Sequence, residues 1–153
     1  MHALEHRIPP PLVFALVGAA MWAVARVTPA MEIAGGLRIA AAAILALFGL
    51  FIAVQGFAAF GRAKTTVNPV NIEAASALVT DGVFRYTRNP MYVGLAALLA
   101  GWAIYLAAPW AFLGPVAFAL FITRFQIIPE ERVLRAKFGG DYDTYLQQVR
   151  RWL

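Results

Sequence analysis

Arg88-Asn89-Pro90-Met91-Tyr92-Val93-Gly94 marks the point where a long polar segment turns into an apolar run. Pro90 has no N–H, carries a preset φ and pushes the preceding residue out of the helical region, so it suits the first position of a helix. Asn89 is then the expected N-cap. The backbone N–H groups of that first turn, at the positive end of the helix dipole, point back towards Arg88 and make a place for an anionic group. The same seven residues would serve equally well as a capped transmembrane helix with an arginine at headgroup level.

What surrounds the stretch decides that it belongs to a membrane bundle. Apolar residues make up 61% of the chain and charged ones 14%, against about 45–50% and 25% in soluble domains. Without cysteine there is no disulfide, thiolate nucleophile or zinc-thiolate site. The net charge of +5 does not point to nucleic acid, because the basic residues flank apolar runs instead of clustering on a polar face. His2 and His6 read as solvated residues of a short polar end, and no metal site is expected.

Four apolar runs give four expected spans, about 11–25, 39–60, 91–107 and 110–126. The first resembles a signal peptide in its charged start, but Trp22 and Arg26 do not fit a small-residue cleavage site. Only Ala108-Pro109 separates the last two, which requires a helical hairpin. With four spans, one side carries Arg7, Arg62, Lys64, Arg85, Arg88, Arg124 and the C-terminal basic residues, and the other only Arg26 and Arg38. By the positive-inside rule both termini and the loop 61–89 are cytoplasmic. The Ala- and Arg-rich composition reads as bacterial, hence an inner-membrane protein. The four tryptophans, Trp22, Trp102, Trp110 and Trp152, fall near run ends, where anchoring and packing are expected.

The expected architecture is all-α and integral to the membrane: a single domain over 1–153, with the loop and a C-terminal helical extension forming a site. Gly49 and Gly56 in the second run would let a neighbouring helix approach closely. The loop contains Val67, Val70, Ile72, Leu78, Val79, Val83 and Phe84, enough apolar side chains to hold it on the bundle. Asp81-Gly82 marks a tight turn that would expose backbone groups beside apolar walls, as a heteroaromatic ring requires. After Arg124 an amphipathic helix continues; Pro129 kinks it or starts a new one over 129–138. Gly139-Gly140 then stops it, and Asp141 can cap a last helix over 141–149, with Arg150, Arg151 and Trp152 at the headgroups.

Glu130-Glu131 is the one adjacent acid pair. On an unbroken helix Arg124, Glu131 and Arg135 share a face, which describes a solvated salt-bridge ladder. The second reading joins the helix start at Asn89-Pro90, the Asp81-Gly82 turn and the acids on one membrane face, offering an anion site, a ring slot and a carboxylate. S-adenosylmethionine has that charge layout, as one candidate among several.

The run from Leu78 to Gly94, followed by Glu130-Glu131, Leu134, Phe138-Gly139, Tyr142, Tyr145 and Val149, resembles the core motif of the isoprenylcysteine carboxyl methyltransferase and phospholipid methyltransferase family. The resemblance implies a membrane enzyme that binds S-adenosylmethionine at its cytoplasmic side and admits a lipid-like acceptor from the bilayer. By motif position, Leu78, Val79, Gly82, Phe84, Asn89, Tyr92, Glu130 and Glu131 would line the cofactor pocket. Arg88, Tyr92 and Glu131 are the candidate catalytic residues, and Arg85, Arg124 and Tyr145 the candidate acceptor contacts. Asn89 stands where eukaryotic members commonly have His, and Phe84 where they have Tyr; an asparagine can hydrogen-bond but cannot act as an acid or base.

A carboxylate acceptor would need orienting by arginine and no base, whereas an amine would lose its proton to Glu130, Glu131 or Tyr92. A small lipid or amphiphile is the expected acceptor and membrane lipids the expected surroundings, with neither nucleic acid nor a required protein partner. The alternatives are an NADPH-dependent membrane reductase related to the sterol reductases and a non-catalytic membrane scaffold.

Overall fold

The computed structural model describes residues 8–63 and 76–153. The expectations attached to His2, His6, Arg7, Lys64, Val67, Val70 and Ile72 lie outside the described residues. The described residues form α1 (Pro10–Val27), α2 (Gly35–Arg62), α3 (Pro90–Leu106), α4 (Leu113–Ile122), α5 (Ile128–Phe138) and α6 (Gly140–Gln148). Three stretches are long and apolar enough to cross a membrane, namely Pro10–Val27, Gly35–Arg62 and the continuous Pro109–Phe138, and α3 is a shorter apolar helix. The protein is therefore an all-α integral membrane protein, in agreement with its hydropathy. Its outer face is apolar in the way a lipid environment demands, with Ile44, Leu47 and Leu120 each about two-thirds exposed.

Helix α3 sits between α2 on one side and α1 and α4 on the other. Ala42, Gly49 and Gly56 recur at every seventh residue of α2 and meet Gly101, Gly94 and the Pro90-Met91 turn of α3. A Cβ added to Gly49 would lie 2.6 Å from the Gly94 carbonyl oxygen, so the two backbones touch directly. Lipid gives helices no hydrophobic reason to associate, and this close packing is what holds such a pair together. The spacing of Gly49 and Gly56 anticipates that interface. Across α3, Val13 and Met21 of α1 pack with Leu99, Ala103, Phe118 and Ile122 as the main core.

The hairpin between α3 and α4 is as tight as Ala108-Pro109 required. Ala107 ends α3 with a φ of 51°, and its carbonyl accepts a hydrogen bond from the Met31 N–H at 2.6 Å. The 3-10 turn Pro109–Phe112 then leads into α4.

Between α4 and α5 the helix neither kinks sharply nor restarts. It widens into a π turn over Thr123–Ile127, where the Ile128 N–H bonds the Thr123 carbonyl five residues back. Pro129 explains the bulge: it has no N–H to donate, and in a regular helix its ring would collide with the Phe125 carbonyl. The extra residue in the turn changes the direction in which everything after it projects, relative to a regular helix. Gly139, at φ 52°, stops α5 as expected. Helix α6 already begins at Gly140, which puts Asp141 inside the first turn and not at the cap.

Candidate functional site

The start of α3 and the start of α5 meet. Tyr92, in the first turn of α3 and 6% exposed, donates its hydroxyl to Glu130 Oε1 at 2.6 Å. Glu130 can face Tyr92 because the π turn has rotated α5 towards α3.

Glu131 turns to a different set of partners. It accepts Arg88 Nη2 at 2.9 Å, and Arg151 grips it with two prongs, Nε to Oε1 at 2.9 Å and Nη2 to Oε2 at 2.7 Å. The Arg88 and Glu131 side chains are 10% and 17% exposed, so these are largely desolvated, charge-assisted bonds. Glu131 is thus not the solvated acid that spacing describes, and Arg135 pairs its Nε with Asp143 at 2.6 Å.

Arg151 arrives from the extended tail after α6. The Arg88 N–H donates to the Arg150 carbonyl at 3.0 Å, and Asn89 Nδ2 donates to the Arg151 carbonyl at 2.9 Å. The Thr87 hydroxyl donates to that same carbonyl at 3.3 Å and accepts the Asn89 N–H at 3.1 Å. Asn89 thus occupies the N-cap position, but its side chain makes no capping bond; the amide is committed to the tail. Trp152 Nε1 donates to Thr123 Oγ1 at 3.0 Å, inside the π turn. Arg151 and Trp152, expected at the headgroups, are therefore parts of the cluster, and only Arg150 points outward. No periodicity links residue 88 to residue 151. The signal available was chemical: a buried carboxylate needs cations.

The motif residues upstream make a second, smaller group. Gly82, at φ 58°, opens a 3-10 turn over Gly82–Arg85, the turn that Asp81-Gly82 predicted. Val79 and Phe84 are buried against Ala59, and Phe84 meets the Phe60 ring edge-on at 5.3 Å. These two pack the loop onto the end of α2. Tyr145 ties the turn to α6, donating its hydroxyl to the Phe84 carbonyl at 2.7 Å, and its phenol is pushed up by burial. Arg85 is exposed, and the Arg124 guanidinium lies over the Phe125 ring at 5.5 Å. The geometry thus gathers Arg88, Asn89, Tyr92, Glu130 and Glu131 at one place. Val79 and Phe84 pack on the end of α2, and Tyr145 ties the Gly82–Arg85 turn to α6.

The two neighbouring acids differ electrostatically. Glu130 lies past the apolar stretch that ends near Ile127; burial pushes its carboxyl up to about 7, the bond from Tyr92 acts in the opposite direction, and the charge of Glu131 adds to the rise. Glu131 is held by guanidiniums. Gln126, which sequence reasoning did not single out, is 2% exposed and donates Nε2 to the Ile8 carbonyl at 2.8 Å, fastening the start of α1 to the π turn. Among the described residues no group of three or more His, Cys, Asp or Glu side chains is placed to hold a metal ion.

The profile of the phospholipid methyltransferase family matches residues 37–141. An uncharacterized protein of Haemophilus influenzae is 46% identical over 63 residues, 41% of this chain and all of that one. The probable protein-S-isoprenylcysteine O-methyltransferase of Oryza sativa subsp. indica is 34% identical over 109 residues, 69% of this chain and 56% of its own. Protein-S-isoprenylcysteine O-methyltransferase A of Arabidopsis thaliana is 35% identical over 109 residues, covering 69% and 54%. The chain spans about half the length of these two plant relatives. No solved structure matches it.

Proposed function

Since the chain belongs to the phospholipid methyltransferase family, we propose that it is an S-adenosylmethionine-dependent methyltransferase acting on a lipid-like or amphiphilic acceptor at the cytoplasmic face of a bacterial inner membrane. The observation that carries this reading is the division of labour between the adjacent acids. Glu131 is bonded to two guanidiniums and Glu130 to a neutral hydroxyl, so Glu130 is the carboxylate placed to receive a cation. The site lies where α3 leaves the bilayer, which supports an acceptor that arrives through lipid.

The donors and acceptors present suit the cofactor's amino-acid end, a zwitterion. Glu130 would hold its ammonium, and Arg88, Asn89 and Tyr92 would border it. The cofactor, when bound, supplies an electrophilic methyl group on a sulfonium. The protein's work is then to align, orient and keep water away. For a carboxylate acceptor no proton moves, and Arg88 orients the anion. For an amine acceptor the proton passes to Glu130, which retains the Tyr92 hydroxyl bond and whose raised carboxyl titrates near neutrality. The excess of Lys and Arg on one side supports cytoplasmic termini and a single four-span domain.

Calorimetric titration of the purified protein with S-adenosylhomocysteine should saturate, and titration with NADPH should not; the reverse result would establish a reductase instead. Labelled-methyl transfer over a total lipid extract, with the product identified by mass, then names the acceptor and tells O- from N-methylation.

A further inference from the structure

Three buried side-chain atoms have no hydrogen-bond partner among the described residues: Arg38 Nε, Arg88 Nε and Gln126 Oε1. Arg38 belongs to the far end of the bundle, its guanidinium over the Tyr105 ring at 5.8 Å. Arg88 is already part of the cluster around Glu131. Gln126 has so far served only as a fastener. It is 2% exposed, and its Nε2 donates to the Ile8 carbonyl at 2.8 Å. A carbonyl can only accept, so this bond fixes which end of the amide is which. The other end, Oε1, is a buried acceptor without a donor.

Native chains keep few such atoms, because an unpaired buried acceptor has given up water for nothing. Its neighbours point to a ligand. Gln126 precedes Glu130 by four residues, and Ile127 and Ile128 between them have ordinary helical dihedrals, so the two side chains are neighbours one turn apart. A helical side chain also leans back over the turn before its own Cα, which brings the Glu130 carboxyl towards Gln126. Since the chain runs from the apolar α4 out to the polar α5, Gln126 lies on the bilayer side of Glu130. Under the proposed function Glu130 holds the cofactor's ammonium and the acceptor comes through lipid, so an oxygen one turn deeper meets the acceptor. An amide oxygen attracts N–H and O–H groups and repels the lone pairs of a carboxylate.

We infer that Gln126 Oε1 is a positioning contact for the methyl acceptor, receiving a hydrogen bond from an N–H or O–H of its polar head. The inference deepens the proposed methyltransferase reading and rests on it. Gln126 takes no proton, because an amide is not a base near neutral pH; the proton of an amine acceptor still passes to Glu130. Its work is to hold the head of the acceptor one turn below the carboxylate.

Wild type, Gln126→Met and Gln126→Glu are compared as full chains in detergent. Methionine matches glutamine in length and has neither its N–H nor its oxygen. Glutamate keeps an acceptor oxygen at the same reach and, like methionine, loses the N–H that holds Ile8. The readouts are melting of the apo chain, calorimetric affinity for S-adenosylhomocysteine, and KM and kcat for labelled-methyl transfer to the total lipid extract. Both variants should melt earlier and bind S-adenosylhomocysteine as wild type does. Gln126→Met should raise KM about fivefold to tenfold, the size of one neutral hydrogen bond, with a smaller change in kcat, and Gln126→Glu should leave KM near that of wild type. An unchanged KM in Gln126→Met overturns the inference, and an equal rise in both variants does so too, since the Ile8 bond alone would then be responsible. Weakened S-adenosylhomocysteine binding in Gln126→Met overturns it by giving the oxygen to the cofactor. So does a methylated product whose precursor has neither N–H nor O–H in its polar head. If Gln126→Met does not fold, Gln126→Asn replaces it, drawing the oxygen back by one methylene; a wild-type KM there overturns the inference. Failure of wild type to bind S-adenosylhomocysteine or to transfer methyl overturns instead the methyltransferase reading beneath it.

Discussion

At the scale of single residues, the acid pair shows how one chemical type can do two jobs. Glu131 is the keystone of three charge-assisted bonds, so Glu131→Gln leaves Arg88 and Arg151 without their anion. A solvated salt-bridge ladder would predict little change in melting behaviour; the geometry predicts a loss of both stability and binding. The apo variant should lose roughly 2 kcal/mol, discounted for the partial exposure of Arg151, and should bind S-adenosylhomocysteine more weakly, as thermal melting and calorimetry would show. Glu130 gives a pH signature. Its carboxyl is raised from an ordinary 4.5 to about 7, so the folded chain keeps a proton that the unfolded chain has already lost. The resulting stability is complete below about pH 4.5 and is lost as pH rises through about 7. Wild-type melting should therefore drop between about pH 5 and pH 7.5 by more than that of Glu130→Gln; equal drops would show that another group is responsible. The identity of these acids was legible in the sequence, through adjacency and motif. Their partners were not, because Tyr92, Arg88 and Arg151 lie 38, 43 and 20 residues away in the chain.

At the scale of elements, the π turn sets the site's geometry. Pro129 announced an irregularity, but sequence could not choose among a kink, a break and a bulge, since each relieves the same clash. The bulge won because the helix on both sides stays packed and Trp152 fastens Thr123 within it. Pro129→Ala restores an N–H and removes the clash, and should allow the regular pattern to return. Melting temperature should hold or rise while affinity for S-adenosylhomocysteine falls at least several-fold, the stability–function exchange expected where strain serves a site. Parallel loss of both would show that the proline is needed for folding alone. The α2–α3 contact, by contrast, was readable in advance: small residues seven apart on α2 have few other uses in a membrane.

For the molecule as a whole, hydropathy anticipated the all-α membrane fold, and the tail supplied what it could not. An extended segment has neither helical period nor apolar run, so Arg150, Arg151 and Trp152 read as headgroup contacts. In the structure they carry the backbone carbonyls that hold Arg88, Asn89 and Thr87, and the side chains that hold Glu131 and Thr123. Removing residues 150–153 should therefore lower the melting temperature and abolish S-adenosylhomocysteine binding while leaving the apolar helices inserted, as protease protection in vesicles would report. A different consequence follows from the unequal helices. At about 1.5 Å per residue, the 17 residues of α3 reach about 26 Å, less than the roughly 30 Å of hydrocarbon, and the 28 of α2 about 42 Å. A bilayer that thins beside α3 to meet this short hydrophobic belt would, under the proposed function, bring the headgroup of a lipid acceptor nearer to Glu130.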